Sequence, residues 1–190
     1  MSNSIEIEAK ALISKSDYEL LIDTYKEYGM YTQTNHYIDT ENRVLKSNLI
    51  ALRAREKNGS LELTLKVPLE VGLLEINHTI TQDEFISFKD NHLFPKCEIK
   101  DRLDELGVNT RELRIYTSLT TTRTDVPYKG GTLSIDKNEY SGITDYEIEL
   151  EGNEMDSTID NLRTLLDSFK IPFVENKVHK IERALKAIGK

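Results

Sequence analysis

The sequence is poor in cysteine, proline and glycine, and it lacks both an excess of positive charge and any long hydrophobic run. Cys97 is the only cysteine among 190 residues, which excludes an internal disulfide and a cysteine-based zinc site. The 33 acidic residues outnumber the 25 Lys and Arg residues, and the formal net charge is −8, whereas general nucleic-acid binders are basic. An apolar run of about 18 residues, as a membrane span requires, is missing, as is a signal-peptide-like apolar stretch at the start. We therefore expect a cytoplasmic protein that binds neither nucleic acid nor a membrane.

The small number of prolines and glycines also bears on domain organisation. Four prolines and nine glycines are scattered through the chain and do not cluster into a linker. Hydrophobic residues make up 38% and charged residues 31% of the chain, and the regular recurrence of the apolar ones argues against disorder. We expect a single domain over residues 1–190.

Alternation of apolar and polar residues dominates the chain and predicts an α+β fold. Eight strands are predicted, at 5–11, 31–39, 49–56, 61–67, 73–80, 114–125, 131–138 and 143–151. Asn58 and Gly59 separate two of them and form a strong hairpin signal, because both residues tolerate positive φ. Apolar residues at helical spacing predict five amphipathic helices, at 16–28, 81–90, 98–106, 156–170 and 177–188. Strands joined by mostly short links indicate an antiparallel sheet or barrel, with the helices packed outside.

Nearly every predicted strand has one apolar row and one charged row, because residues i and i+2 share a face. The charged rows contain Glu6, Glu8, Lys10, Arg53, Arg55, Glu62, Lys66, Glu75, Arg123, Asp136, Glu147 and Glu149. The simplest interpretation is an open sheet whose charged side is solvated. If the sheet closes, the charged rows line its interior, where charges are costly unless they are paired or bind an ion. Such an interior would suit a polyanion together with a divalent cation.

Residues 6–10 read E-I-E-A-K and place two carboxylates and one ammonium on the same strand face, roughly 6–7 Å apart per pair. Such carboxylates suit hard cations such as Mg²⁺ or Mn²⁺, and the lysine can contact a phosphate of the same ligand. Glu147 and Glu149 repeat the E-x-E pattern near the C-terminal end. Arg53 and Arg55 present two guanidiniums on one face, which favours bidentate phosphate contacts.

Together these motifs resemble the CYTH superfamily, also called triphosphate tunnel metalloenzymes. The resemblance runs from E-x-E-x-K through LRAR at 52–55 and LTLK at 63–66 to the E-x-E at 147–149 and the K-x-x-R at 180–183. Segments 51–59 and 70–75 are similar to small Firmicute-type members. The superfamily includes class IV adenylyl cyclases, thiamine triphosphatases, inorganic triphosphatases and fungal-type RNA triphosphatases. The fold that the resemblance implies is an eight-stranded antiparallel β-barrel or tunnel with a charged interior.

The resemblance also implies roles for individual residues, with Mg²⁺ or Mn²⁺ as the cofactor. The metal ligands would be Glu6, Glu8, Glu147 and Glu149. The triphosphate would be bound by Lys10, Arg53, Arg55, Lys66, Arg123 and Lys180. Catalysis would centre on Glu6, Glu8, Lys10 and Lys66, with support from Glu62, Glu75 and Asp136. Lys180 is preferred to Lys177 because it opens the K-x-x-R ending, and Arg183 is then structural. The sequence departs from the pattern at Asn77, where many members place an arginine.

The activity implied is divalent-metal-dependent hydrolysis of inorganic triphosphate or of a triphosphorylated small molecule. Water would attack the terminal phosphorus in line, and catalysis would come mainly from positioning and charge neutralisation. Two alternatives stay open: a class IV-type adenylyl cyclase that makes cyclic AMP and pyrophosphate, and a non-catalytic polyphosphate- or nucleotide-binding protein. The substrate's identity, the choice of metal and the oligomeric state, for which a homodimer is one alternative, also stay open.

Overall fold

A computed structural model of the chain describes the backbone of residues 3–70 and 73–189 and the side chains of residues 7–70 and 73–189. The strands are β1 (Asn3–Glu6), β2 (Glu8–Ile13), β3 (Tyr31–Asp39), β4 (Ala51–Lys57), β5 (Ser60–Pro68), β6 (Leu73–Ile80), β7 (Arg114–Tyr128), β8 (Gly131–Tyr140) and β9 (Ile143–Glu151). The α-helices are α1 (Lys15–Thr24), α2 (Val44–Ser47), α3 (Gln82–Asn91), α4 (Glu98–Glu105), α5 (Met155–Ser168) and α6 (Lys180–Ala187). Short 3₁₀ turns lie at Lys26–Tyr28 and Thr110–Glu112.

All eight predicted strands are present, and the first is divided at Ile7 into β1 and β2. The hydrogen-bonded order is β1-β6-β5-β4-β3-β7-β8-β9-β2, and the registers of β2–β9, β4–β5, β5–β6, β7–β8 and β8–β9 are antiparallel. The predicted α+β class with an antiparallel sheet is therefore confirmed. Strand pairing within the described residues does not close the sheet into a barrel, and the tunnel stays a prediction.

The described residues fall into two compact units, each built from two chain segments. Unit 1 contains residues 3–5 and 34–118, and unit 2 contains residues 6–33 and 119–189. This division leaves the expectation of a single domain over 1–190 as a prediction.

Unit 1 packs the apolar rows of β4, β5 and β6 against α3 and α4. Leu52 and Leu63 of the strands are buried in one cluster with Phe88 of α3 and Leu103 of α4. The β4–β5 hairpin turns at Asn58 and Gly59, whose φ values are +51° and +76°. The hairpin predicted from these two residues is thus confirmed, and the alternation that directs leucines to the core directs charged residues to the opposite face.

Unit 2 packs β2, β8 and β9 against α1 and α5. Ile135 and Ile148 of the sheet are buried in one cluster with Leu21 of α1 and Leu162 of α5. The β7–β8 turn is formed by Lys129 and Gly130, both at positive φ. Gly131 opens β8, where a Cβ atom would collide with the carbonyl oxygen of Glu151.

The helices match the predicted ones except at their ends. Ser14 caps α1, and Asp17 completes a reciprocal capping box with it, so the helix begins one residue before the predicted position 16. The last helix begins at Lys180, three residues later than predicted. The four-residue α2 was not predicted, since one helical turn produces no apolar periodicity. None of the helices in the described part of the chain has the length and apolar character to cross a membrane.

Candidate functional site

Three carboxylates converge in unit 2 and are called the carboxylate cluster below: Asp136 on β8 with Glu147 and Glu149 on β9. Glu147 and Glu149 share a face of β9 because they are two residues apart, and Asp136 is the register partner of Glu147. One oxygen from each lies within 4.8 Å of the others. Asp136 and Glu147 are both 0% exposed. The expectation that the charged row is solvated is therefore wrong for this part of the sheet.

The ammonium of Lys180, the first residue of α6, lies among these carboxylates. Lys180 Nζ is 2.9 Å from Asp136 Oδ2, 2.6 Å from Glu147 Oε2 and 2.5 Å from Glu149 Oε1. An ammonium has three donors, and here each of them faces a different carboxylate. The cluster is thus shaped to surround a cation.

Arg123 of β7 also binds the carboxylate cluster. It is the register partner of Asp136, and its Nε and Nη2 donate to the two oxygens of that carboxylate at 2.7 and 2.6 Å. Nη2 also donates to Glu149 Oε2 at 2.8 Å. This bidentate geometry fixes the orientation of the buried carboxylate as well as neutralising it.

Arg183 of α6 is the third cationic residue that contacts the carboxylate cluster. Its Nη1 and Nη2 donate to Glu147 Oε1 and Oε2 at 2.9 and 3.0 Å, and its Nε donates to Asp145 Oδ2 at 2.9 Å. Asn176 Nδ2 donates to Glu147 Oε1 at 2.7 Å. Arg183, expected to be only structural, therefore contacts a predicted metal ligand directly.

Sequence reasoning missed Asp145 and Asn176 as members of this network. Asp145 lies in the same row of β9 as Glu147 and Glu149, so a D-x-E-x-E pattern was available as a signal. Arg183 follows Lys180 by three residues, which places both on one face of the helix. Asn176 precedes the helix in a segment without periodicity, and no sequence signal points to it.

The E-x-E-x-K segment contributes Glu8 and Lys10 of β2. Lys10 Nζ lies 2.5 Å from Glu8 Oε1 and 3.2 Å from His179 Nδ1, and Lys10 is the register partner of Glu149. Lys10 is 7% exposed. The side chain of Glu6 lies outside the described residues.

Neighbouring charges keep Glu149, Lys180 and Lys10 ionised. Burial would raise the pKa of Glu149, but Lys180 and Arg123 outweigh it and hold that pKa well below its usual range. Burial would lower the pKa of Lys180, but the three cluster carboxylates raise it above its ordinary value. The pKa of Lys10 is likewise raised, because Glu8 and Glu149 overcome the effect of burial. These groups therefore carry full charges at neutral pH.

In unit 1 the charged row of β4, β5 and β6 contains more basic than acidic residues. The register pairs Arg55 with Glu62 and Lys66 with Glu75, and Lys66 Nζ is 3.1 Å from Glu75 Oε2. Arg53 is opposite Thr64 in the register, and within the described structure its Nε atom is buried without a hydrogen-bond partner. Arg53, Arg55 and Lys66 outnumber the two predicted carboxylates of the row, Glu62 and Glu75, which suits phosphate oxygens.

Asn77 accounts for the departure from the family pattern on β6. Its Nδ2 donates to Glu75 Oε1 at 2.8 Å, and its Oδ1 accepts from Thr64 Oγ1 at 2.8 Å. Burial would raise the pKa of Glu75, but Lys66, Asn77 and Arg53 lower it overall. Asn77 thus holds the carboxylate that pairs with Lys66 and adds no base of its own.

The predicted site residues accordingly form two sets. Unit 2 contains one ionic network of predicted site residues, formed by Arg123, Asp136, Glu147, Glu149 and Lys180. The ion pair of Glu8 and Lys10 lies on the neighbouring strand, where Lys10 is the register partner of Glu149. Unit 1 contains Arg53, Arg55, Glu62, Lys66 and Glu75, which lie in one row of β4 to β6. Asp136, predicted as a supporting residue, is a full member of the carboxylate cluster.

Comparison with known proteins places the chain in a family. The model of the CYTH domain matches residues 4–184. YjbK of Bacillus subtilis (strain 168), named as a candidate triphosphatase, is 34% identical over 179 residues, which cover 93% of each chain.

Solved structures give the same result. A candidate adenylate cyclase from Bacillus halodurans is 36% identical, with a TM-score of 0.89 over 96% of this chain and 98% of that one. HpAC1 of Hippeastrum, described as a candidate adenylyl cyclase with a dominant triphosphatase activity, is 27% identical, with a TM-score of 0.79 over 96% of each chain. The chain therefore belongs to the CYTH domain family.

Proposed function

We propose that this chain is a divalent-metal-dependent triphosphatase that hydrolyses inorganic triphosphate or a triphosphorylated small molecule. The observation that carries the proposal is the buried carboxylate cluster, which already surrounds the cationic group of Lys180. Two relatives support the reaction class: YjbK is named as a candidate triphosphatase, and HpAC1 is described as having a dominant triphosphatase activity.

The donor set fits Mg²⁺ or Mn²⁺, because it consists of carboxylate oxygens, the ligands that hard cations prefer. The proposed ligands are Glu6, Glu8, Glu147 and Glu149, and the proximity of Asp136 to the last two adds it to the set. A bound ion supplies charge neutralisation and Lewis-acid polarisation of the phosphoryl oxygens.

The basic residues have the second proposed role, which is to bind the substrate. We assign binding of phosphate oxygens to Lys10, Arg123 and Lys180 in unit 2 and to Arg53, Arg55 and Lys66 in unit 1. Arg53 supports this assignment best, because its buried Nε atom lacks a hydrogen-bond partner among the described residues and such a group is costly to leave unpaired. Glu75 holds Lys66 in place, and Glu62 lies opposite Arg55. Fixing the triphosphate for in-line attack by water would supply most of the rate enhancement.

The test is phosphate release by the purified protein with Mg²⁺ or Mn²⁺. Tripolyphosphate, thiamine triphosphate, ATP and pyrophosphate are offered in parallel, with and without EDTA. Glu149→Gln is expected to lower kcat/KM by at least about 100-fold, since loss of a residue that merely supports a metal ligand already costs about 10–100-fold. Glu139→Gln is the matched control, because Glu139 is an exposed residue of β8 paired with Lys137. If no substrate yields phosphate, the proposal is wrong.

An adenylyl cyclase is the second candidate, and the names of the Bacillus halodurans structure and HpAC1 favour it. In that reaction the ribose 3′-hydroxyl attacks the α-phosphorus of ATP and pyrophosphate leaves. Assaying cyclic AMP and pyrophosphate in the ATP reaction separates the two enzymes. A triphosphate that raises the melting temperature but gives no product would favour the non-catalytic binding protein.

The cellular location and the oligomeric state of the protein are also proposals. We propose a cytoplasmic protein with a small-molecule triphosphate as its substrate and no membrane or nucleic-acid partner. A homodimer stays a prediction, which light scattering of the purified protein tests.

A further inference from the structure

We infer that the ammonium of Lys180 is an internal counter-ion of the carboxylate cluster, which a divalent metal must displace in order to bind. The inference rests on the proposed function, because it takes Asp136, Glu147 and Glu149 as metal-binding groups. It goes further by giving Lys180 two alternating partners, the cluster before the metal binds and a phosphate afterwards.

The first argument is geometric. Lys180 Nζ approaches one oxygen of each carboxylate at 2.9, 2.6 and 2.5 Å, so it occupies the position at which all three can be reached at once. A Mg²⁺ ion takes its oxygen ligands at about 2.0–2.1 Å and would need the same oxygens. Two cations cannot share so small a space, because their repulsion in a buried site is severe.

The second argument concerns charge. Lys180 pairs with all three carboxylates of the cluster, whereas Arg183 is shared between Glu147 and Asp145. Replacing the single charge of the ammonium by a divalent ion raises the net charge of this group by one. The added positive charge favours a polyanion. Exchange of one cation for the other thus prepares the cluster for triphosphate and frees a lysine to bind it.

The third argument is that the carboxylates remain held when Lys180 leaves. Arg123 binds both oxygens of Asp136, and Arg183 binds both oxygens of Glu147. Lys180 itself begins α6, and a cation at the N-terminal end of a helix is unfavourably placed relative to the helix dipole, whereas an anion is favoured there. The carboxylates, and not the helix, therefore keep the ammonium in position.

Mn²⁺ titration in the absence of any phosphate compound, followed by water-proton relaxation, tests the competition. Lys180→Met removes the ammonium and keeps an unbranched side chain, and we expect it to bind Mn²⁺ at least about 10-fold more tightly than the wild type. Lys177→Met is the control, because Lys177 is 81% exposed and pairs with Glu175 at 3.6 Å, and its Mn²⁺ affinity should stay unchanged. Equal or weaker binding by Lys180→Met would overturn the inference.

A second measurement uses the wild type alone, so it stands even if the variant fails to fold. Acetylation of lysines, read by peptide mass spectrometry, should be slow at Lys180, whose side chain is 13% exposed. Mn²⁺ should accelerate acetylation of Lys180 relative to Lys26, a surface lysine. Tripolyphosphate that is added afterwards and kept in excess during the labelling should slow it again. An unchanged rate at saturating Mn²⁺ would contradict displacement.

The two measurements separate failure of this inference from failure of the proposed function. A wild type that binds Mn²⁺ and hydrolyses tripolyphosphate, with no tighter binding by Lys180→Met, refutes the counter-ion role alone. Absence of both Mn²⁺ binding and turnover in every form refutes the proposed function, and the counter-ion role with it.

Discussion

Each buried acid of the carboxylate cluster is held by hydrogen bonds from cations. Asp136 illustrates this, since both of its oxygens accept from Arg123 and one is also 2.9 Å from Lys180. A lone ion at such depth would lose several kcal/mol of hydration free energy. Pairing therefore makes burial of this side chain compatible with a stable fold.

Replacing Arg123 by methionine should be strongly destabilising. The change leaves Asp136, which is fully buried, without its bidentate partner, and breaking a buried pair in this way costs about 3–5 kcal/mol of unfolding free energy. Urea unfolding measures the loss. Lys26→Met is the control, because it removes an ion pair with Asp23 at the surface, where such pairs contribute about 0–1 kcal/mol. A similarly small loss in Arg123→Met would contradict the pairing argument.

Glu75 is expected to make stability dependent on acid pH. Although burial favours its neutral form, Lys66, Asn77 and Arg53 hold its pKa below the usual value in the folded state, whereas an unfolded glutamate titrates near about 4.3. The stabilisation is therefore complete above that pH and is lost as the pH falls toward the folded-state pKa. Between about pH 5 and pH 3 the melting temperature of the wild type should fall more steeply than that of Glu75→Gln. Parallel curves for the two proteins would rule out this contribution.

Individual site residues could be predicted where strand alternation determines on which face of the sheet a side chain lies. Glu147, Glu149 and Arg123 follow from the i, i+2 rule. Asn176 does not, because it reaches Glu147 from a segment that lies 29 positions away and has no periodicity. Side-chain partners across such distances depend on tertiary packing, which local patterns do not record.

The sequence predicted which segments form helices and strands better than it predicted the residues at which they begin and end. Alternation continues through Ile7, so the break between β1 and β2 leaves no trace in the sequence. The predicted start of the last helix, at residue 177, fails because residues 175 and 176 are used elsewhere: Glu175 bridges Ala11, and the N–H of Asn176 donates to the carbonyl of Lys10 at 2.7 Å. Tertiary backbone pairing has outweighed helical propensity in this segment.

The start of α3 offers a test at the level of one element. Thr81 Oγ1 accepts from the N–H of Glu84 at 3.2 Å, and Glu84 Oε2 accepts from the N–H of Thr81 at 2.8 Å. Thr81→Ala should lower the unfolding free energy by about 1 kcal/mol, because the first turn loses its side-chain acceptor. Thr81→Ser keeps the acceptor and should stay within a few tenths of a kcal/mol of the wild type in urea unfolding. Equal losses in both variants would mean that the cap does not contribute.

For the molecule as a whole, net charge is a poor guide to its ligand. The sum of −8 argues against a general nucleic-acid binder, yet it hides a row in unit 1 whose bases exceed its acids and a network in unit 2 rich in carboxylates. Local fields around such groups, more than the total, decide which ions bind. The fold is needed to sort the charges into these two sets.

Unfolding of the entire chain is expected to be a single cooperative transition, even though the structure divides into two units. The chain passes from one unit to the other after residues 5, 33 and 118, and these crossings lie within β1, β3 and β7. Melting one unit would therefore disrupt strands that continue into the other. Calorimetric and van't Hoff enthalpies should agree.

A ligand tests the same point, and tripolyphosphate without metal avoids turnover during the scan. At about 100 times its Kd it should add about 2.7 kcal/mol of stability, which raises the single melting temperature by about 5–10 °C in a chain of this size. Two transitions, only one of which moves with the ligand, would show instead that the units unfold independently and that one of them alone holds the triphosphate.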